Sequence, residues 1–146
     1  MSTLDAWFEN GWLKRHATSP AEIRMQLESA DRDLADAEKD ISAAWRFAIA
    51  YNAALRFCSV ALLASGYIAE REQKHYRTIA ALPLIIGSSV SDLAGFLDRC
   101  RSKRHDVTYE SAAAISEEES GELIGGVREL RGRVRAWLEK EHPGLL

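Results

Sequence analysis

Through most of the chain, apolar residues recur every three or four positions, the spacing that lines one face of an α-helix. Ile23, Leu27, Ala30, Leu34 and Ala37 form one such stripe, opposed by Glu28, Asp31, Asp33, Glu38 and Lys39. Ser19, Pro20 and Glu22 supply its start: an N-cap hydroxyl, a proline at the first helical position and the acid of a capping box. A second helix is expected from Asp40–Ser42 to about Ala64, where Ser65-Gly66 ends it through a left-handed cap. Trp45, Phe47, Ile49, Leu55, Phe57, Val60, Leu62 and Leu63 leave this helix without a polar side, which suits the middle of a bundle or a subunit interface. Arg46 and Arg56 interrupt it and are expected to be paired at its rim.

A shorter third helix lies in "EREQKHYRTIAALPLIIG", kinked or ended by Pro83, which lacks a backbone donor. The fourth starts near Ser89 or Ser91 and runs through Leu93, Phe96 and Leu97 into a basic cluster. The fifth opens on a capping box, Ser116 with Glu119, and continues through Leu123, Ile124, Val127, Leu130, Val134 and Trp137. Gly125 and Gly126 inside it cost about 1 kcal/mol each relative to alanine unless close packing requires them. No alternating strand pattern appears. The predicted fold is therefore all-α, one domain over 1–146, with an up-down bundle of about five helices over 19–141. An amphipathic lead-in over 1–17 (Trp7, Phe8, Trp12, Leu13) should fold back over the core or meet a partner subunit.

Composition narrows the partners. The chain has 146 residues, 47% apolar and 28% charged, with a net charge of −3, so it does not coat nucleic acid along its whole surface. Any polyanion site has to be local. Cys58 and Cys100 make neither a disulfide framework nor a metal-ligand spacing, and Cys58 reads as a buried free thiol. The N-terminus lacks the apolar core of a signal peptide, and the longest charge-free run, "FCSVALLASGYIA", is well short of a membrane span. A cytoplasmic protein without a membrane segment is expected.

Several chemistries find no pattern. Phosphate-cradling glycine motifs and a nucleophile elbow are absent, and His16, His75, His105 and His142 are scattered, so neither a cofactor nor a metal site is expected. What stands out is "RCRSKRHDVTY", residues 99–109. Helical spacing lines up Arg101, His105 and Tyr109 on one stripe, flanked by Arg99 and Arg104. A phosphate there could receive bidentate bonds from an arginine, and His105 could exchange protons near neutrality. The same residues also suit a solvated helix end, complementing the macrodipole and pairing with Asp98, Asp106 and Glu110. Both readings stand on residue types alone.

The ordered segments "AYNAALRFCSVALLASGY", "KHYRTI" and "DRCRSKRHDVTY" resemble the HEPN superfamily, small helical domains of bacterial toxin–antitoxin and defence systems. The resemblance runs from about Ser19 to Trp137 and implies metal-independent RNA cleavage by an arginine and a histidine, with two copies of the motif meeting across a homodimer. Two placements fit. In one, Arg99 and His105 are the motif pair, with Cys100 where a polar residue is usual. In the other, Arg104 is the motif arginine, His105 follows it, and Tyr109 stands where relatives carry histidine. Tyrosine is the poorer base at neutral pH. The resemblance thus implies catalytic roles for Arg104, His105, Tyr109 and Arg99, and RNA or nucleotide phosphate binding by Arg101, Lys103 and Asp106. A catalytically weak binding module, or the partner subunit of a nucleotidyltransferase or antitoxin, is the alternative it leaves open.

Overall fold

The structure, a computed structural model, describes residues 3–109 and 115–146; the side chains of 106–109 lie outside the description. It is an all-α bundle. The elements in chain order are α1 (Leu4–Glu9), β1 (Leu13–Arg15), α2 (Pro20–Ala37), α3 (Ala43–Ala64), β2 (Tyr67–Ala69), α4 (Lys74–Ala80), α5 (Leu82–Ile86), α6 (Ser91–Tyr109) and α7 (Glu117–Glu141). Short 3₁₀ turns cover Ser88–Val90 and Pro143–Leu145. The five expected helices correspond to α2, α3, the α4–α5 pair, α6 and α7. The break falls before Pro83: α4 stops at Ala80, and Pro83 sits in the first turn of α5.

The apolar stripe of α2 is buried at all five positions, and α3, packed against α2, α4, α5, α6 and α7, forms the centre of the bundle. Ala50, Ala53, Ala54 and Ala61 of α3 are fully buried, so neighbouring backbones approach closely there. Arg46 donates to the Ala37 carbonyl (2.9 Å) and to Glu117 (3.0 Å); Arg56 pairs with Asp33 (3.0 Å). Both are rim arginines, as their interruption of an apolar helix suggested. By length and hydropathy α3 is apolar enough to cross a membrane, which the charge-free run alone did not indicate. However, 67% of its most apolar window is buried inside the bundle, the burial of a core helix.

The two capping boxes differ. At α7 the box is complete: Ser116 Oγ accepts from the Glu119 N–H, and Glu119 accepts from the Ser116 N–H, both at 3.1 Å. At α2 only half forms. Ser19 Oγ accepts from the Glu22 N–H (3.1 Å), but the Glu22 carboxylate turns to Thr18 Oγ1 (2.6 Å) and His16 Nε2 (2.9 Å). These partners, Thr18 first, hold its pKa below the ordinary value.

The strands are a correction to the sequence reading. β1 and β2 form an antiparallel ladder pairing Leu13 with Ala69, Lys14 with Ile68 and Arg15 with Tyr67. Three residues are too few to show a period of two, so only the tertiary meeting of these segments creates them. Gly66, at φ +92°, makes the expected left-handed exit from α3 and feeds β2. Beneath the ladder, Leu13, Leu62, Tyr67, Ala69 and Ala81 form a second core, against which Leu4, Trp7 and Phe8 pack. The lead-in therefore folds back over its own domain. Of the paired glycines, Gly126 is the one that close packing requires: a Cβ there would lie 2.9 Å from the Phe96 ring of α6. A Cβ on Gly125 would meet open space.

Candidate functional site

The basic segment lies in the second half of α6, and its side chains part company around the helix. Arg101 and Arg104, three residues apart, turn toward α4 and α3. The Arg101 guanidinium lies 5.5 Å from the centroid of the Tyr76 ring, and that of Arg104 lies 5.3 Å from that of Tyr51. Tyr51 belongs to the middle of α3 and is 1% exposed; its ring is 6.3 Å from that of His75 on α4. Three helices thus bring two arginines, a histidine and two tyrosines together.

An open hollow of about 610 Å³ lies beside this cluster, lined by Arg71, Gln73, Lys74, His75, Tyr76 and Arg101. Its described lining carries three permanent cations and no carboxylate. Arg101 does pair with Asp98 on its own helix, Nε to Oδ1 at 2.8 Å, but both side chains are about one-third exposed. Such a pair contributes at most about 1 kcal/mol, so a phosphate oxygen can compete for the guanidinium.

Burial, opposed by Arg101 and Arg104, pushes the Tyr51 hydroxyl up to about 12, so it stays protonated at neutral pH. That hydroxyl is buried and has no hydrogen-bond partner among the described residues. His75 is held below its ordinary 6.5 by partial burial, then by Arg104, Lys74 and Arg101. Its imidazole is therefore neutral at pH 7 and able to accept a proton.

Of the expected site residues, Arg101 alone is in the described lining of the hollow. Lys103 reaches across to Glu119 at the start of α7 (3.1 Å). Arg99, 200° around the helix from Arg101, is exposed and places Nη1 3.7 Å from the Cβ position of Gly95. His105 is exposed, one turn beyond Arg101 and about 40° from it around the helix. The side chains of Asp106 and Tyr109 lie outside the described residues, as does Glu110. Of the expected stripe Arg101, His105 and Tyr109, the side chain of Tyr109 lies outside the described residues, while Arg101 joins Arg104 in a cross-helix group with α3 and α4. Cys100 is buried, and burial pushes its thiol up to about 11; Cys58 reaches about 12 for the same reason. Both are inert thiols at neutral pH.

Tyr51, His75 and Tyr76 are the contributors that the sequence reading did not assign. Two of them stand in "KHYRTI", a segment singled out for its resemblance but given no chemistry. A charged or aromatic residue on a short helix has no visible partner until the helices pack. Comparison of the chain with protein-family models, curated proteins and solved structures finds no match.

Proposed function

We propose that this protein acts on RNA by gripping a phosphodiester in the hollow between α4 and α6, and that it cleaves RNA without a metal ion, as an HEPN-type endoribonuclease of a toxin or defence system. The observation that supports this reading is the convergence of Arg71, Lys74, Arg101 and neutral His75 on one hollow, in a chain whose net charge is −3. Arg101, with Arg71 and Lys74, would hold the non-bridging phosphate oxygens through charge-assisted bonds. His75 of α4, or His105 one turn beyond Arg101 on α6, would take the proton of the ribose 2′-hydroxyl. The 2′-oxygen would then bond to phosphorus as the bond to the 5′-oxygen breaks, and the leaving oxygen would take a proton from solvent or the second histidine. The products are a 2′,3′-cyclic phosphate and a 5′-hydroxyl. A homodimer and a reducing cytoplasmic setting complete the proposal, the latter suiting two buried thiols.

The test is incubation of purified protein with mixed single-stranded RNA in the absence of divalent metal. Cyclic phosphate ends are expected, and they should be lost in the Arg101→Ala, His75→Ala double variant. Their absence over many RNAs, while a known HEPN nuclease cuts in parallel, would reject cleavage. A second reading, a catalytically weak module that binds RNA or nucleotide or partners a nucleotidyltransferase, draws on the pairing of Lys103 with Glu119 and on tyrosine at position 109. Salt-sensitive binding without cyclic ends would favour it.

A further inference from the structure

The chain turns into α4 at Gln73, which adopts the left-handed conformation at φ 55°. Arg71 and Gln73 form a shared wall: one side is the basic hollow, and the other is a second hollow of about 650 Å³. Its remaining lining is Gly11, Trp12, Glu70, Glu72 and Arg77. The charge there differs sharply, because two carboxylates balance two arginines. A phosphate has little reason to enter. A flat, uncharged, hydrogen-bonding group does.

Trp12 and Arg77 supply the surface for one. The Arg77 guanidinium lies 3.8 Å from the centroid of the Trp12 ring, and Trp7 braces the indole edge-on at 5.7 Å. Among the described residues Arg77 forms no ion pair, and its Nε is buried with no hydrogen-bond partner. The stack is a cation–aromatic pair: Glu70 and Glu72 balance the charge of the hollow as a whole, but neither is bonded to the Arg77 guanidinium among the described residues. Bases of single-stranded RNA bind on such planes, on aromatic rings and on guanidinium groups alike.

We propose that this second hollow is a base subsite: the nucleotide next to the phosphate held between α4 and α6 lays its base on the Trp12–Arg77 stack, with Glu70, Glu72 and the Gln73 amide available to its polar edge. The inference rests on the RNA reading above. It adds that the substrate is single-stranded, since a paired base has no face to offer. It also gives the lead-in, through Trp12, a part in recognition.

The experiment compares two probes, a fluorescent single-stranded decaribonucleotide and inorganic polyphosphate of matched length used as competitor. Trp12→Leu should weaken decamer binding about tenfold, the loss of one stacked base, and leave competition by polyphosphate unchanged. Arg77→Met keeps an apolar stem over the indole and should give a smaller loss of the same kind, which guards against a misfolded Trp12 variant. Arg101→Ala should weaken both probes. Equal weakening of both by Trp12→Leu and Arg77→Met, or of neither, would overturn the base subsite while leaving the RNA reading in place. Failure of the unaltered protein to bind the decamer would remove both.

Discussion

Where α2 and α7 flank α3, several arginines are bound to carboxylates of the neighbouring helix; where α4, α6 and the lead-in close the other side, several lie against aromatic rings. On the first side Arg131 and Arg135 share Asp31 at 2.7 and 3.1 Å, Arg128 meets Glu38 at 3.0 Å, and Arg46 and Arg56 are likewise satisfied. On the second, Arg77 covers Trp12, Arg104 covers Tyr51, and Arg15 lies 4.4 Å from the centroid of Phe8. Arg101 has a foot in both worlds, with Asp98 beside it and Tyr76 5.5 Å away. The difference is one of residual charge. A guanidinium against a carboxylate is neutralised and ties two helices together. One packed on a ring with no carboxylate bonded to it, as Arg77 is among the described residues, keeps its charge. The first side ties helices of the bundle to one another; the second sets cations against aromatic rings.

The largest effect should come from the packed side. Leu130 is fully buried on α7, and Leu130→Ala should lower unfolding free energy by about 2–5 kcal/mol in urea titration. RNA affinity of the folded fraction should not change; a loss would mean that the two sides are not separable. Asp31→Asn should cost about 1 kcal/mol, as its partly exposed bridge to α7 weakens. Burial raises the Asp31 pKa, but hydrogen bonds and charge from Arg131 and Arg135 outweigh it and bring the net value below 3.8. Its stabilisation is therefore complete well above pH 3.8 and fades as pH falls through the lowered value. Acid titration of the Asn variant should lack that part of the decline.

Smaller effects should mark the other side. Tyr51→Phe removes a buried hydroxyl that has no partner, so stability should rise by up to about 1 kcal/mol in thermal melts. A fall would show that the hydroxyl serves the fold. The smallest effect expected is a rise of a few-fold in RNA affinity as pH is lowered through and below 6.5, where His75 gains charge beside the hollow. His75→Ala should abolish that rise. Stability should move the opposite way: the folded state holds His75 below its ordinary value, so acid favours the unfolded chain from about pH 6.5 downward.

Much of the fold was legible because helix signals are local. The stripe from Ile23 to Ala37, the hydroxyl caps at Ser19 and Ser116, the exit at Gly66 and the break before Pro83 each lie within a few residues of the atoms they govern. The site was legible only in part. Arg101 and Arg104 announced themselves by charge density, but their direction did not follow from spacing alone, since Tyr51 is 50 residues away and His75 belongs to another helix.

By itself, then, the sequence determined the helical periods, their start and stop residues, the apolar α3 and the concentration of cations on α6, because backbone preference and side-chain period are properties of neighbouring residues. Only the tertiary structure decided that Leu13–Arg15 pairs with Tyr67–Ala69, that Glu22 leaves its capping box for His16 and Thr18, that Lys103 pairs with Glu119, and that Arg101 and His75 line one hollow. Those outcomes depend on which distant groups the packed helices bring within reach, and charge, aromatic and hydrogen-bond partners across a bundle leave no period in the chain.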